Sequence, residues 1–390
     1  MKYLDLNIAL PVDAEDALLV GRMMVPGAGA VLVQVLPNGI YDLSHLAPTC
    51  AQLLELPNPA FAVRSSEGVL IAQTQEVLSN SAWDSMDPDK PWFMAPCDLQ
   101  AIKAAGVTFV SSMLERVIEE QARGDASKAE AVRRAVVAVI GENLAAVKPG
   151  SPEAMKLKEV LIAQGVWSQY LEVGIGPDAE IFTKSQPMSA VGTGAEIGLH
   201  PASAWNNPEP EIVLAVNSQG ETVGAALGND VNLRDFEGRS ALLLGKAKDN
   251  NASCAIGPFI RLFDQGFNID DVRGCDLAME VHGAGGFAMK GSSSLSQISR
   301  DPLDLVSQAI GPNHQYPDGF VLFLGTMFAP TQDRHGPGQG FTHEVGDIVT
   351  VHTPRLGTLA NRVNTSDRIP PWTYGASALM RDLALRGLLV

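Results

Sequence analysis

The stretch WNNPEPEIVLAVNSQG, residues 205–220, places two glutamates at the mouth of an apolar run. The β-branched residues of this run and the glycine at its end predict a buried strand. Because side chains alternate along a strand, Glu209 and Glu211 should point to one face, about 7 Å apart at the backbone. Like charges held side by side destabilise each other unless a cation, a proton or a hydrogen-bond donor compensates them. A divalent metal ion is the first candidate for that compensation.

The segments around this strand predict the rest of the fold. After residue 170 the chain shows many short apolar segments separated by turns, which predict a large sheet system, sandwich or barrel-like. Residues 1–95 predict a mainly β module with short helices. Residues 97–165 carry apolar side chains at spacings of three and four on a charged background, which predicts helices. The fold class is therefore α+β.

Local signals place the helices more closely. Gly124-Asp125 is expected to separate two helices of the charged segment. SPEAMKLKEVLIAQG, residues 151–165, predicts a further helix, with Ser151 as its cap, Pro152 in the first turn and Gly165 at its C-terminal end. The last residues, ALMRDLALRGLLV, predict a short amphipathic helix.

Composition narrows the class of protein. The chain has 390 residues, 46% hydrophobic and 18% charged, which is ordinary for a soluble globular enzyme and excludes disorder. The net charge of −16 disfavours nucleic acid and anionic membranes as partners. No apolar stretch approaches a membrane span, and the first residues lack the apolar core of a signal peptide. Four widely spaced cysteines favour reduced thiols and a cytoplasmic location, and they disfavour a cysteine zinc site.

A third acid follows the glutamate pair. In ETVGAALGNDVNLRD, residues 221–235, a strand is expected to end at Gly228, which places Asp230 in the following turn. A turn aspartate often binds only its own backbone. Together with two same-face glutamates on a neighbouring strand, Asp230 could instead complete a three-carboxylate face. Three hard oxygen ligands suit Mg²⁺ or Mn²⁺ better than Zn²⁺.

Two further segments offer polar groups to a ligand. Lys248 is expected in a polar loop within GKAKDNNASCAIGPFI, residues 245–260. Most lysines are solvated, but one beside an anionic substrate could neutralise developing charge or transfer a proton. GFVLFLGTMFAP, residues 319–330, ends a predicted strand at Gly325-Thr326. Such a pair can offer N–H groups and a hydroxyl to a carboxylate, or it can form an ordinary turn.

Several other site classes are disfavoured by the sequence. The seven histidines form no HxH or HxxxH group, which argues against a histidine metal site. GTGAEIG, residues 192–198, lacks the strand–glycine-loop–helix context of a nucleotide site. The serine run 292–294 contains no GxSxG, which argues against a serine hydrolase.

Taken in order, these segments resemble the fumarylacetoacetate hydrolase superfamily. The matching stretches are IFTKSQP, NPEPEIVLAV, GNDVNLRD, AKDNNASCAIGP, FLGT and GDIVTVHTPRLGTLANRV. The resemblance implies a mostly β catalytic domain over residues 171–390 and a smaller mixed α/β N-terminal domain over residues 1–170, with a helical lid-bearing segment. It also implies a homodimer or a higher homo-oligomer.

The resemblance assigns roles to individual residues. It implies that Glu209, Glu211 and Asp230 bind Mg²⁺ or Mn²⁺ and that Lys248 is a catalytic residue. Contacts to the substrate are expected from Gly325, Thr326 and Lys184.

The superfamily contains C–C bond hydrolases, decarboxylases and sugar-acid dehydratases. Its acylpyruvate hydrolases and decarboxylases often carry a His-x-x-Glu dyad on a lid. The comparable stretch here, GVTFVSSMLERVIEE at 106–120, keeps Glu115 but has Ser112 in place of the histidine. The stretches VTFVSSMLERVIEEQARGD and WSQYLEVGIGPDAEIFTK are more similar to 2-keto-3-deoxy-pentonate dehydratases.

This closer resemblance implies metal-dependent dehydration of a small-molecule 2-keto acid, 2-keto-3-deoxy-D-pentonate, to 2,5-dioxopentanoate in non-phosphorylative pentose catabolism. Glu115 and Lys248 are the expected acid–base pair. Three alternatives stay open: an acylpyruvate-type C–C hydrolase, a dehydratase for a longer hexonate-derived acid, and a non-enzymatic cupin-like binding protein.

Overall fold

The computed structural model describes residues 2–140, 147–163, 165, 167–330, 332–336 and 339–389. The strands within these residues are β1 (Leu19–Val25), β2 (Gly29–Leu36), β3 (Gly39–Asp42), β4 (Val69–Ala72), β5 (Trp92–Met94), β6 (Ala101–Gly106), β7 (Glu180–Ser185), β8 (Glu196–Leu199), β9 (Asn206–Asn207), β10 (Pro210–Val216), β11 (Thr222–Asp230), β12 (Asn232–Leu233), β13 (Cys254–Leu262), β14 (Asp276–His282), β15 (Ala288–Ser294), β16 (Phe320–Phe323), β17 (Ile348–Thr353) and β18 (Gly357–Thr365).

The α-helices are α1 (Leu6–Ala9), α2 (Cys50–Leu54), α3 (Pro59–Arg64), α4 (Thr74–Asn80), α5 (Val110–Gln121), α6 (Ala126–Ile140), α7 (Pro152–Ala163), α8 (Gln169–Ile175), α9 (Arg234–Glu237), α10 (Leu244–Lys248), α11 (Ile269–Arg273), α12 (Pro302–Ala309) and α13 (Ala376–Leu385). None of the described helices has the length and apolar character needed to cross a membrane.

One large sheet runs through both halves of the chain. Its strand order is β4-β3-β2-β1-β13-β11-β10-β16-β6-β7, and β5 also pairs with β1. Neighbouring strands are antiparallel except β16 and β6. The sheet therefore crosses the expected domain boundary at 170/171, because β1 to β6 lie before it and the other strands lie after it.

A second sheet packs against the first. Its order is β15-β14-β17-β18-β8. Ile212 and Leu227 of the first sheet share a core with Met279 and Val351 of the second. Val213 belongs to another core cluster, since successive side chains of β10 point to opposite faces. Both faces of β10 are thus buried, which explains its unbroken apolar run, and the predicted α+β fold with a mostly β C-terminal part is confirmed.

The helical segment follows the sequence signals. Gly124, with φ of +71°, turns the chain between α5 and α6. A Cβ at Gly124 would lie 2.6 Å from the backbone oxygen of Asp235, so a side chain there would be excluded. The N–H of Ala154 donates to Ser151 Oγ at 3.1 Å, which caps α7 as predicted.

Helix α5 is seated by its apolar face. Met113 and Val117 of α5 share a core cluster with Leu171 of α8 and with Trp205. Trp205 directly precedes β9, which pairs with β12 in a short ribbon beside the glutamates of β10. The packing therefore fixes α5 beside Glu209 and Glu211.

Candidate active site

The register of β10 and β11 brings the three predicted acids together. Glu211 pairs with Gly228 and Pro210 pairs with Asn229, so Asp230 lies level with Glu209. The Asp230 N–H donates to the Glu209 carbonyl at 3.0 Å. Strand β11 continues through Asp230, which also pairs with Cys254 of β13; the expected turn after Gly228 is therefore wrong. Each acid offers an oxygen within 4.8 Å of the others, and all three are buried.

Lys248 is the central cation of the cluster. It ends helix α10 rather than lying in a polar loop, which corrects the sequence expectation. Its Nζ lies 2.9 Å from Glu209 Oε2, 3.1 Å from Asp230 Oδ2 and 3.3 Å from Glu237 Oε1. Burial would lower the pKa of Lys248, but the three carboxylates outweigh it and hold the pKa well above its ordinary value. Lys248 is thus a permanent cation in this arrangement.

Lys184 lies behind the acids. Its side chain is fully buried, and its Nζ lies 2.9 Å from Asp230 Oδ1 and donates to the carbonyl oxygen of Lys248 at 2.7 Å. Although burial would raise the pKa of Asp230, Lys184 and Lys248 hold it below its ordinary value. Lys184 is absent from the described lining of the cavity, and its contacts are those of a group that orients Asp230. A direct contact between Lys184 and a substrate stays a prediction.

Gly325 and Thr326 follow β16 and line the cavity. The Gly325 N–H donates to Glu211 Oε2 at 2.6 Å, so it is already engaged by a carboxylate of the protein. Gly325 has φ of +85°, and a side chain there would overlap Thr108. Thr326 Oγ1 accepts from the Phe328 N–H at 3.0 Å, which leaves its hydroxyl hydrogen to donate to a ligand.

Helix α5 contributes Arg116, which the sequence analysis did not single out. This α5 residue places Nη2 2.6 Å from Glu209 Oε1 and Nη1 2.9 Å from Glu119 Oε2, and Nη1 also pairs with Glu237. The i,i+3 spacing of Arg116 and Glu119 was visible in the sequence. The pairing with Glu209 was not, because it depends on how α5 packs over β10.

Glu180 is a second cavity residue that the sequence analysis missed. It lies on β7 opposite Gly106 of β6, where a side chain would overlap its carboxylate. Burial, followed by the negative charge of Glu237, raises the pKa of Glu180 to about 7. The strand periodicity could have found it, because Glu180 and Phe182 alternate with residues of the opposite face and both line the cavity.

The two lid residues of the family comparison differ in their placement. Ser112 lines the cavity, and its Oγ donates to the Phe109 carbonyl at 2.9 Å. Glu115 is not among the described lining residues; Arg133 of α6 binds both of its carboxylate oxygens, at 3.0 and 2.7 Å. A catalytic Glu115 stays a prediction, and this geometry does not support it.

The complete cavity combines charged and apolar walls. Its lining residues are Ala105, Gly106, Val107, Ser112, Arg116, Tyr170, Glu180, Phe182, Glu209, Glu211, Asp230, Glu237, Ala241, Leu244, Lys248, Gly325 and Thr326. No histidine occurs in this lining, as far as the described residues define it.

The charge balance tests whether the acids fit a metal ion. Four carboxylates pair with four cations in one connected network; its members are Glu119, Glu209, Asp230, Glu237, Arg116, Arg234, Lys184 and Lys248. Glu211 and Glu180 are two further carboxyl groups beyond that balance, and each would add a negative charge on ionisation. The pKa of Glu211 is raised by burial and by the charges of Asp230 and Glu209. A divalent cation would supply the missing charge, and three carboxylates are the hard ligands that Mg²⁺ and Mn²⁺ prefer.

A family model described as fumarylacetoacetate (FAA) hydrolase C-terminal matches residues 166–364, just over half of the chain. Two curated relatives are similar to parts of it. The 2-dehydro-3-deoxy-D-arabinonate dehydratase of Saccharolobus solfataricus is 30% identical over 190 residues, 49% of this chain and 60% of the relative. The probable 2-keto-3-deoxyxylonate dehydratase of Haloferax volcanii is 31% identical over 196 residues, 50% of this chain and 64% of the relative. The matches thus span less than two thirds of either relative.

Solved structures share the fold over a longer range. The 2-keto-3-deoxy-D-arabinonate dehydratase in its apo form aligns with a TM-score of 0.61 and 22% identity, over 89% of this chain and 99% of that chain. The same dehydratase complexed with magnesium and 2,5-dioxopentanoate aligns with a TM-score of 0.61 and 20% identity, with the same coverage.

Proposed function

The chain belongs to the fumarylacetoacetate hydrolase family, and from this we propose that it is a metal-dependent hydro-lyase. Its substrate would be a 2-keto-3-deoxy-pentonate and its product 2,5-dioxopentanoate, which places it in the non-phosphorylative breakdown of pentoses. The names of the two curated relatives and the ligands of the similar solved structure support this choice.

One observation carries the proposal. A single cavity gathers three carboxylates suited to a divalent ion, a fixed cation in Lys248 and, in Glu180, a carboxyl group whose pKa of about 7 lets it exchange protons at neutral pH. A site that only binds a metal ion would need the three carboxylates but neither the buried cation nor the proton-exchanging carboxyl group. A surface patch of acids would need none of the three features.

We assign the metal, Mg²⁺ or Mn²⁺, to Glu209, Glu211 and Asp230. When bound there, it would supply Lewis acidity to the 2-oxo group of the substrate and so acidify the C3–H bond. Lys184 and the Gly325 N–H hold Asp230 and Glu211 in place for this role.

Dehydration requires a proton to leave C3 and a proton to reach the departing C4 hydroxyl, so that water is lost overall. Glu180 is the group that can move a proton in this pH range, and it takes the place that the sequence analysis gave to Glu115. Lys248 stays protonated and stabilises negative charge that develops on the 2-oxo oxygen. Tautomerisation toward C5 then gives the aldehyde of 2,5-dioxopentanoate.

The same geometry disfavours an acylpyruvate-type C–C hydrolase. Such an enzyme needs a base that activates water, and the family's lid dyad supplies it through a histidine and a glutamate. Here Ser112 lines the cavity and Arg133 holds Glu115, so neither half of the dyad is in place.

Product analysis by NMR tests the proposal. The purified protein is incubated with both C4 epimers of 2-keto-3-deoxypentonate in Mg²⁺, Mn²⁺ or EDTA. We expect 2,5-dioxopentanoate from at least one epimer, and none in EDTA. Glu180→Gln should slow the reaction about 10²–10⁴-fold, whereas Glu115→Gln should retain most of the rate.

Two results would overturn this assignment. Unchanged sugar acids together with pyruvate released from an acylpyruvate would establish the hydrolase instead. Full activity of the Glu209→Ala and Glu211→Ala variants in EDTA would show that the reaction needs no metal ion. Light scattering on the same preparation tests the homodimer or larger homo-oligomer, which stays a prediction.

A further inference from the structure

The proposed reaction gives no step to Arg116. Its guanidinium is carried into the cavity by helix α5, and its side chain is 14% exposed. There it joins a closed ring of alternating charges. Arg116 pairs with Glu237, Glu237 with Lys248, Lys248 with Glu209, and Glu209 with Arg116 again. Arg116 therefore neutralises an acid that the proposed function assigns to the metal.

We propose that Arg116 competes with the divalent cation for Glu209, as a positioning residue that holds this carboxylate when the metal is absent and yields it when the metal binds. The inference rests on the metal site of the proposed function. It adds that a residue of α5 opposes metal binding, so that metal binding and the contact between Arg116 and Glu209 are thermodynamically linked.

The contacts of Glu209 indicate whether Arg116 opposes metal binding or assists it. A residue that only orients a metal ligand improves metal binding, and its loss weakens binding. Glu209 does not depend on Arg116 for orientation, because Asn232 Nδ2 donates to the same Oε1 at 3.1 Å and Lys248 binds Oε2. Its backbone N–H also donates to Asn229 Oδ1 at 3.0 Å. What Arg116 adds is mainly positive charge, which repels a divalent cation.

Arg116 also has other partners when it leaves Glu209. Glu119 and Glu237 both pair with Nη1, whereas Glu209 pairs with Nη2. Releasing Nη2 therefore keeps the charge of Arg116 compensated. The freed donors face the cavity, where the carboxylate of a 2-keto acid could accept them.

The experiment is a titration of the metal-free protein with Mg²⁺ and Mn²⁺, followed by calorimetry and Mn²⁺ electron paramagnetic resonance. Substrate is left out, so the readout is metal affinity and not activity. Arg116→Met should bind either metal about tenfold or more tightly than the unaltered chain. Arg133→Met is the matched control. It removes the arginine of α6 that binds Glu115, so the metal affinity should stay unchanged.

Unchanged or weaker metal binding by folded Arg116→Met, with normal binding by the unaltered chain, would overturn the competition and leave the proposed function intact. No metal binding by either protein would overturn both. Tighter binding by the variant, without any dehydration of sugar acids by the unaltered chain, would support the competition and reject the proposed reaction.

A second measurement does not depend on the variant. Hydrogen exchange of the unaltered chain is followed with and without Mg²⁺. Competition predicts faster exchange in α5 when the metal is added, because the helix loses its contact with Glu209, while β10 and β11 exchange more slowly. Slower exchange in α5 would contradict the inference.

Discussion

Replacing Glu180 by glutamine should raise the stability of the metal-free protein while it slows dehydration. In the folded chain the pKa of Glu180 is raised from 4.5 to about 7, by burial first and by the charge of Glu237 second. A carboxyl group with a raised folded-state pKa resists ionisation, so it destabilises the fold at any pH where the unfolded chain is already ionised. This penalty is absent below the ordinary pKa of 4.5 and complete above about 7.

The size of the effect follows from the shift. The rise of the pKa from 4.5 to about 7 corresponds to at most about 3.5 kcal/mol of unfolding free energy. The uncharged glutamine avoids this penalty. The variant should therefore match the unaltered chain at pH 4.5 and exceed it by a margin that grows to at most about 3.5 kcal/mol above pH 7.

Urea unfolding in EDTA at pH 4.5, 5.5, 6.5 and 7.5 measures this margin for both proteins. EDTA keeps metal from neutralising the neighbouring acids. A margin that is constant with pH, or that shrinks as pH rises, would refute the electrostatic account of Glu180. A variant that is less stable at every pH would show that Glu180 contributes favourable contacts to the fold instead.

Other substitutions test the surrounding groups. Lys248→Met should destabilise the metal-free protein by about 3–5 kcal/mol, because it removes a cation shared by three buried carboxylates and leaves their network with one negative charge in excess. Urea unfolding should show part of the loss restored by Mg²⁺. Gly106→Ala should slow dehydration about 100-fold in steady-state assays, because the added methyl displaces the Glu180 carboxylate. Asp347→Asn should destabilise the protein by about 2 kcal/mol at pH 7, as measured by urea unfolding. Arg334 helps to lower the pKa of Asp347 to about 2 despite burial, so this loss should persist above pH 3.8 and vanish as pH falls through 2.

Periodicity and cap signals predicted the local elements well. The apolar run after Glu211 forms β10, Gly124 separates α5 from α6, and Ser151 caps α7. These features depend on residues a few positions apart, whose effects act within one strand or one turn. The end of β11 was wrong because a turn signal at Gly228 yields to pairing with β13, which lies more than twenty residues further along the chain.

The cavity residues also divide into those that local sequence signals identified and those that depend on long-range contacts. Spacing brought Glu209 and Glu211 to one face, local context made Asp230 and Lys248 candidates, and the resemblance assigned their roles. Arg116 reaches the cavity through the packing of α5 over β10. For Glu180, periodicity could indicate a shared face with Phe182, but the pairing of β7 with β6 decides that this face lines the cavity. A long charged side chain on a helix is most often solvated, so nothing local marked Arg116 as the partner of a buried acid.

The large sheet also determines the order in which this chain can fold. Leu19 of β1 pairs with Arg261 of β13, and β6 pairs with residues 320–323 of β16. On the ribosome, β1 and β6 must wait for these partners, which are made more than two hundred residues later. During synthesis their edges stay open, so folding of the early segment depends on the late one. The two halves therefore cannot be separated into independently expressed fragments without exposing β1 and β13 to self-association.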